Sequence, residues 1–281
     1  MNDWLNAHIF HPLARRLALK LQPTGITPNA VSVIGGLCIV AAGLLYTGLD
    51  WPISFALGLA AHGAWHVFDG ADGDLARLTG KSSPRGEMID GLCDYAGHVL
   101  LYIMLAAMIG GWGWWLAAAA GVSRIIQSNH AESQRRTYLW RVYGIPWLKH
   151  AHARSDELFQ ARGPLDRFFV ALTRFYILLS GAGSPLSERA DGLVERAQGE
   201  PERSFYASRI CRRASRTSLR LQTALGSNLR TVVLGASMAA GSPIWFFLFE
   251  CTLLNLLLAW SILLQGHCNR RVAERLEARF T

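Results

Sequence analysis

The sequence predicts an all-α, polytopic membrane protein with about six transmembrane helices and an active site on the cytoplasmic side. Its 281 residues are 51% hydrophobic and only 17% charged, a composition that is unusual for a soluble domain. The apolar residues are gathered into runs that approach or reach the roughly 20 residues with which an α-helix crosses a bilayer. Basic residues cluster in alternate connections between these runs. The three observations favour a bundle of membrane-spanning helices over one or two soluble domains.

Residues 1–26 form an N-terminal segment that we expect to lie on the membrane surface. Its stretch Leu13–Leu21 interleaves apolar and basic residues, which is typical of an interfacial amphipathic helix. The segment has no uninterrupted apolar core followed by a small-residue cleavage site, so we expect no removable signal peptide. Thr27 is then predicted to cap the first span, with Pro28 in its first turn.

Residues 27–134 are predicted to form the first part of the membrane core. Short turns that contain Gly or Pro separate four apolar runs. The expected spans cover about 27–49, 53–80, 87–110 and 113–134. Tryptophans between the third and fourth spans, at positions 112, 114 and 115, are typical of an aromatic anchor at the membrane interface.

Residues 135–220 are predicted to be a basic cytoplasmic or interfacial segment. Phe168–Gly183 is apolar, but it is short and contains Arg174, so we expect an interfacial helix rather than a span. Farther along, arginines recur at steps of three and four residues, which places them on one helical face. This basic stripe, expected to face solvent or lipid headgroups, consists of Arg209, Arg212, Arg213, Arg216 and Arg220. A direct role of the stripe in binding an anionic substrate is the alternative.

Residues 221–266 are predicted to contain two further spans, and residues 267–281 a cytoplasmic tail. The fifth span is expected at about Leu221–Ala240, where small residues suit close helix packing. The sixth is expected at Ile244–Leu264. Arg230 lies inside the fifth span, and an intramembrane arginine is by default a candidate functional residue. It is a candidate ligand for a phosphate on the acceptor, unless the span begins later and Arg230 is an ordinary interfacial residue.

The formal net charge is +8, and the positions of the basic residues indicate the orientation of the protein in the membrane. The connections at 46–52, 110–115 and 241–243 contain no Lys or Arg, whereas the other connections and the end of the sequence are rich in both. By the positive-inside rule, both termini and the central basic segment are cytoplasmic. We therefore expect a multi-pass protein of the cell inner membrane and no binding to nucleic acid. The five cysteines form no CxxC pair, so neither a disulfide framework nor a zinc site is predicted.

Two pairs of aspartates lie between the second and third spans. Asp69 and Asp72 are three residues apart, and Asp90 and Asp94 are four apart, so each pair projects from one face of its helix. A short turn joins the two helices, which allows the pairs to converge. Each ionisable residue at membrane depth costs from about 2.5 kcal/mol upward, so such a cluster calls for a cation. Oxygen ligands select Mg²⁺ or Mn²⁺, and four carboxylates suit two ions and a diphosphate substrate.

Four other residues of this stretch suit a nucleotide. Gly73 and Ala76 lie on the helical face of Asp69, where their small size leaves room for a base or ribose. Arg77 can supply a cation for phosphate oxygens. Gly86 is expected to permit a tight turn just before the second acidic pair.

The stretch from Phe68 to Gly97 resembles the signature of CDP-alcohol phosphotransferases, D-x2-D-G-x2-A-R-x8-G-x3-D-x3-D. Every fixed position is matched, and the Thr27-Pro28-Asn29 start and six-span layout are also similar to the family. The matched residues are Asp69, Asp72, Gly73, Ala76, Arg77, Gly86, Asp90 and Asp94. The resemblance covers roughly the membrane core but not residues 135–220.

The resemblance implies roles for these residues. Asp69, Asp72 and Asp90 would be the principal ligands of the metal ions, and Asp94, near the metals, would be the general base. The CDP-alcohol donor would be held by Gly73, Ala76 and Arg77, with Gly86 beside it. The acceptor hydroxyl, deprotonated by Asp94, would attack the phosphorus that carries the donor alcohol, and CMP would leave. The resemblance also implies a homodimer in contact with membrane lipid.

The acceptor site is less clearly marked. Polar residues near the cytoplasmic end of the fourth span are candidates for it or are ordinary interfacial residues, namely Ser123, Arg124, Gln127, Asn129, His130 and Glu132. His62 and His66, four residues apart, are expected to pack or hydrogen bond rather than bind a metal. Asp74 and Glu87 lie outside the pattern and are expected to be solvated.

Three functions are compatible with these residues. We expect an enzyme of phospholipid synthesis that transfers a phosphatidyl group from CDP-diacylglycerol to a small polar alcohol. The same chemistry with a CDP-linked small alcohol and a lipid hydroxyl is the alternative. A divalent-cation transporter would also explain intramembrane aspartates, but it would not require Gly73, Ala76, Arg77 and Gly86.

Overall fold

The computed structural model describes residues 4–145 and 184–280, apart from the side chains of Pro84 and Arg85. All regular elements within these ranges are helical, so the all-α prediction is confirmed. They are α1 His11–Leu21, α2 Pro28–Gly48, α3 Ile53–Thr79, α4 Pro84–Ile109, α5 Gly113–Tyr143, α6 Pro185–Gln198, α7 Pro201–Ala224, α8 Ser227–Ala239, α9 Ile244–Cys251 and α10 Leu253–Phe280. Short turns at Asn6–Phe10 and Gln22–Thr24 flank α1. The helix predicted at Phe168–Gly183 lies outside the described residues.

The helices belong to two compact units. The motif unit consists of residues 2–123 and 227–252, and the distal unit consists mainly of residues 124–226 and 253–281. The motif unit therefore contains both acidic pairs, and the distal unit contains the basic stripe.

The first four predicted spans correspond to helices α2 to α5. The Thr27 side chain accepts a hydrogen bond from the Ala30 N–H, as expected of the cap of α2. Ser83 caps α4 in the same way by accepting from the Gly86 N–H. Such caps satisfy N–H groups that have no partner within the helix. They fix where the two helices begin, and in α4 the cap thereby sets how far Asp90 and Asp94 lie from the start of the helix.

The predicted fifth span is interrupted. Helix α7 ends at Ala224 and α8 begins at Ser227, with Leu225 and Gly226 between them. The prediction that one helix covers Leu221–Ala240 is therefore wrong, because the apolar run of α8 meets the polar end of α7 at a non-helical link. The sixth apolar run is likewise divided, because α9 ends at Cys251 and α10 begins at Leu253. At 13 residues, α8 is about 20 Å long, shorter than the hydrocarbon core.

Three helical segments within the described residues are long and apolar enough to cross a membrane. They are Pro28–Gly48, Gly86–Ile109 and Ile244–Phe280. Helix α3 has sufficient length, but its histidines and acidic motif lower its apolar character. The membrane assignment is thus supported by three helices, and the count of six spans stays a prediction.

Small residues bring the helices of the motif unit together. A Cβ built at Gly36 of α2 would lie 3.1 Å from the backbone oxygen of Cys93, and one at Gly97 of α4 would lie 3.1 Å from the Gly36 oxygen. Ala14 of α1, fully buried, meets α3 at Gly70 in the same way. Close helix approach at small residues is a common packing mode in membranes. It places α2 directly beside the acidic end of α4.

The distal unit has its own core, formed by α6, α7, α10 and the second half of α5. Buried residues such as Val194, Cys211 and Val272 pack together in it. Arg141 is also buried there, where its guanidinium group donates to Asp191 and Asn269 at 2.7 Å each. Part of the predicted basic segment is therefore a folded helical core rather than a simple surface layer.

Candidate active site

Three of the four motif aspartates converge between α3 and α4. Asp69, Asp90 and Asp94 each offer a carboxylate oxygen, and these oxygens all lie within 4.8 Å of one another. Each side chain is partly buried. One aspartate of the first pair and both aspartates of the second pair therefore bring carboxylate oxygens together.

The fourth aspartate, Asp72, is buried beside this group. Ser32 of α2 donates a hydrogen bond to Asp72 Oδ2, and the Asp72 and Asp90 carboxyl groups are within hydrogen-bonding reach. A third helix therefore orients the acidic cluster. Ser32 was not recognised from the sequence, because its partner lies 40 positions away and a serine one turn into an apolar helix does not by itself signal such a contact.

Asp94 is held by a tryptophan. The indole Nε1 of Trp65 donates to Asp94 Oδ1 at 2.7 Å, and Trp65 itself is only 3% exposed. One turn later on α4, His98 Nδ1 donates to the Asp94 backbone carbonyl and its ring meets the indole edge. Trp65 was not recognised as a site residue from the sequence, because the contact joins residues 29 positions apart.

Small residues and one arginine line the C-terminal half of α3. Gly73 and Ala76 are partly buried, and only the Arg77 guanidinium group would approach a Cβ placed at Gly73. Arg77 Nη2 donates to Asp74 Oδ1 at 2.8 Å. The expectation that Asp74 is simply solvated is therefore wrong, because it pairs with the arginine one turn away.

Gly86 does not provide the predicted tight turn. It lies in the first turn of α4, and the residue with left-handed backbone in this connection is Gly80, with φ of +66° at the end of α3. A Cβ at Gly86 would instead lie 3.5 Å from Asn29 Oδ1 and 3.3 Å from Ser83 Oγ. Gly86 thus keeps the start of α4 close to the polar start of α2.

The two histidines of α3 form hydrogen bonds with α8. Thr231 Oγ1 lies 2.8 Å from His66 Nε2 and 3.3 Å from His62 Nε2. Both rings are buried, and His66 stacks on Phe10. The interpretation of this pair as packing and hydrogen bonding is confirmed.

Arg230 pairs with an acid that the sequence analysis overlooked. Its Nε donates to Glu250 Oε1 at 2.9 Å, and Tyr102 OH donates to the same oxygen at 3.1 Å. The side chains of Arg230 and Glu250 are 2% and 0% exposed. Two buried charges that satisfy each other hold α8, α9 and α4 together, which gives Arg230 a structural role.

We expect loss of either partner to destabilise the fold, because it leaves an uncompensated buried charge. Glu250→Gln or Arg230→Met should each lower the free energy of unfolding by about 3–5 kcal/mol, whereas Arg230→Met with Glu250→Leu should recover most of it. Unfolding of the purified protein in a fixed detergent would measure this. Wild-type stability in Arg230→Met together with lost activity would instead favour the phosphate-binding hypothesis for Arg230.

The polar candidates on α5 are largely engaged by other side chains. In the distal unit, Gln127 Nε2 donates to Asn255 at 2.8 Å, and His130 Nε2 lies 3.0 Å from Ser261 Oγ. Both residues are buried, and Glu132 pairs with Arg135 and Arg136. The contacts of Gln127 and His130 join α5 to α10, and a role in acceptor binding stays a prediction.

The acidic cluster fits a hard divalent cation. Its donors are all carboxylate oxygens, which suit Mg²⁺ or Mn²⁺ rather than softer metals. Several partly buried carboxylates so close together repel one another, and a cation between them would relieve that repulsion.

The comparisons with known proteins agree with this chemistry. The profile of the CDP-alcohol phosphatidyltransferase family matches residues 25–182, more than half of the chain. The chain is 33% identical over 107 residues to choline/ethanolaminephosphotransferase 2 of Arabidopsis thaliana, covering 35% of this chain and 27% of that protein. It is 34% identical over 116 residues to phosphatidylinositol phosphate synthase of Mycobacterium marinum, covering 40% of this chain and 42% of that protein. It is 36% identical over 118 residues to the bifunctional IPC transferase and DIPP synthase of Rubrobacter xylanophilus, covering 42% of this chain and 25% of that protein.

The similarity to these relatives is confined to part of each protein. The aligned stretch spans between about a quarter and about two fifths of their length. No solved structure matches the chain.

Proposed function

The chain belongs to the CDP-alcohol phosphatidyltransferase family, and we propose that it transfers a phosphoalcohol group from a CDP-alcohol to a hydroxyl acceptor, releasing CMP, in phospholipid synthesis. The observation that carries the proposal is the convergence of Asp69, Asp90 and Asp94 within 4.8 Å. These three acids belong to a stretch that matches all eight fixed positions of the family signature.

We assign the carboxylates of Asp69, Asp72 and Asp90 to holding two Mg²⁺ or Mn²⁺ ions, with Asp94 beside them. When bound, such ions neutralise charge on a diphosphate and stabilise the charge that develops on the leaving group. Gly73 and Ala76 leave space for the CDP moiety, and Gly86 keeps the start of α4 close to it. Arg77 can turn from Asp74 to the phosphate oxygens because its side chain is largely exposed.

Asp94 is proposed to act as the general base. Its carboxylate takes the proton of the acceptor hydroxyl, and the alkoxide oxygen then attacks the phosphorus that carries the donor alcohol. The bond from that phosphorus to the CMP oxygen breaks, and CMP leaves. The Trp65 N–H donates to one carboxylate oxygen of Asp94 and thereby fixes the orientation of the carboxylate.

Trp65→Phe should lower kcat by about 10-fold to 100-fold with little change in the KM for the CDP donor. The substitution removes the hydrogen bond to a charged group, worth about 1.5–3 kcal/mol, but keeps an aromatic ring in the core. Steady-state kinetics would measure both constants. Trp140→Phe, in the separate core of the distal unit, is the matched control. A wild-type kcat in Trp65→Phe would remove the positioning role.

We further propose that both termini and the connection between α3 and α4 face the cytoplasm of an inner membrane. Single cysteines at Asp50 or Ala240, in a cysteine-free background, should react with a membrane-impermeant thiol reagent added outside cells. Cysteines at Ser82 or Ala278 should react only after permeabilisation. All four positions are exposed, so the side of the membrane decides the outcome. Labelling at Ser82 from outside would overturn the orientation.

CDP-diacylglycerol with a small polar alcohol is the substrate pair that we favour. The reverse pair, a CDP-linked small alcohol and a diacylglycerol hydroxyl, uses the same chemistry. Purified protein should be assayed with each donor against a panel of acceptors, with lipid products identified by mass spectrometry. Product from CDP-diacylglycerol alone supports our choice, and product from CDP-choline or CDP-ethanolamine alone overturns it. Mg²⁺ or Mn²⁺ flux into protein-containing vesicles, without CMP release, would favour a transporter.

A further inference from the structure

One face of α7 is a row of arginines. The side chains of the five arginines in this row are exposed, whereas the opposite face of the helix is buried against α6 and α10. This arginine face is the basic stripe predicted from the sequence, Arg209, Arg212, Arg213, Arg216 and Arg220. It lies outside the residues matched by the family profile, so the proposed transfer chemistry does not account for it.

No carboxylate among the described residues forms an ion pair with the arginine face. Across residues 4–145 and 184–280, no ion pair involves any of the five guanidinium groups. Other arginines of the distal unit do have acidic partners, including Arg135, Arg141, Arg189 and Arg203. The only acid within α7 is Glu202, in its first turn. Within the part of the chain that the structure describes, the stretch from Arg209 to Arg220 thus displays positive charge that no carboxylate pairs with.

Helix α10 indicates where the arginine face lies relative to the membrane. Its first half is apolar, with exposed Leu256, Trp260 and Leu263 on the outside, and it belongs to a segment long enough to span a membrane. The apolar half ends where Gln265 begins a polar stretch. An exposed tryptophan near such an end is typical of the membrane interface.

The arginine face starts at this same level. Ser218 of α7 donates to Gln265 Oε1 at 2.9 Å, and Ser215 Oγ lies 3.6 Å from Cys268 Sγ. Arg216 and Arg220 are within two residues of Ser218, a rise of about 3 Å along the helix. They therefore lie beside the end of the apolar half of α10, at the depth of lipid headgroups.

We propose that the arginine face binds the phosphate-bearing headgroups of anionic phospholipids at the bilayer surface. Guanidinium groups form paired hydrogen bonds with phosphate oxygens, and an anionic leaflet attracts basic residues that lie close to it. The depth of the face favours lipid over a nucleic acid or an acidic protein, which would not require an adjoining apolar helix.

The test compares binding of phosphatidylglycerol and phosphatidylcholine to the full-length protein in neutral detergent micelles, with bound lipids counted by native mass spectrometry. The wild-type protein should retain phosphatidylglycerol preferentially, and raising the salt to about 0.5 M should weaken the preference. The triple variant Arg213→Gln, Arg216→Gln and Arg220→Gln should reduce it by about 10-fold or more. Lysine at the same three positions should preserve most of it.

The matched control is Arg135→Gln, Arg136→Gln and Arg189→Gln, which removes the same charge from arginines that have acidic partners. This control should keep the lipid preference. Equal retention of the two lipids by the wild-type protein would overturn the proposal, whether or not the variants fold. An equal loss of the lipid preference in both triple variants would also overturn it. Tighter binding of a DNA oligonucleotide or a poly-glutamate peptide than of phosphatidylglycerol would do the same.

Discussion

Asp90→Asn should abolish transfer while leaving the protein folded. The substitution keeps the size of the side chain but removes one of the converging carboxylates of the proposed metal site. Charge stabilisation by bound metal is worth several kcal/mol, so we expect the rate of CMP release to fall by more than about a thousandfold. Asp69→Asn should behave in the same way. Initial rates at saturating Mg²⁺ would measure both.

Glu87→Gln is the matched control for Asp90→Asn. Glu87 lies one turn earlier on α4, is exposed and falls outside the signature, so its loss should leave most activity intact. Size-exclusion profiles and thermal unfolding should be the same for all three variants. Full activity in Asp69→Asn or Asp90→Asn would count decisively against the assigned metal site.

Asp94→Asn should separate donor binding from turnover. Loss of a positioned base costs about 10²–10⁴ in rate, whereas the metal ligands and the residues around the CDP moiety remain in place. We therefore expect CDP-donor affinity in the presence of Mg²⁺ to stay close to that of the wild type. In Asp69→Asn, affinity and rate should fall together.

The measurement for Asp94 is a pair of titrations on both variants, donor binding by calorimetry and initial rate of CMP release. Loss of donor binding in Asp94→Asn as complete as in Asp69→Asn would remove the support for a base. Asp94 would then be reassigned as a further metal ligand.

The features that were predictable from sequence are local ones. The cap at Thr27 and the projection of each aspartate pair from one helix face follow from spacing within a turn or two. The short connection between α3 and α4 was enough to predict that the pairs converge. The all-α class followed from the apolar runs.

The features that were missed depend on contacts between distant parts of the chain. Ser32 reaches Asp72 across 40 positions and Trp65 reaches Asp94 across 29. Neither serine nor tryptophan in an apolar helix signals such a partner. Arg230 was recognised as costly in a membrane, but the residue that neutralises it, Glu250, belongs to a different apolar run.

The break at Leu225 and Gly226 was missed for another reason. Ala224 and Leu225 before it are good helix formers, and the single glycine there resembles those tolerated elsewhere within helices. Tertiary packing of α7 in the distal unit and α8 in the motif unit outweighs this local preference. Only the folded chain shows where one helix ends and the next begins.

Metal-dependent CMP release with formation of a phospholipid tests the central claim most directly. The purified protein, supplied with CDP-diacylglycerol and a panel of small alcohols, should produce CMP and a new phospholipid in equal amounts. Chelation of divalent metal with EDTA should stop the reaction, and added Mg²⁺ or Mn²⁺ should restore it. No CMP from CDP-diacylglycerol or from any CDP-linked small alcohol, with protein shown to be folded and metal present, would contradict the account.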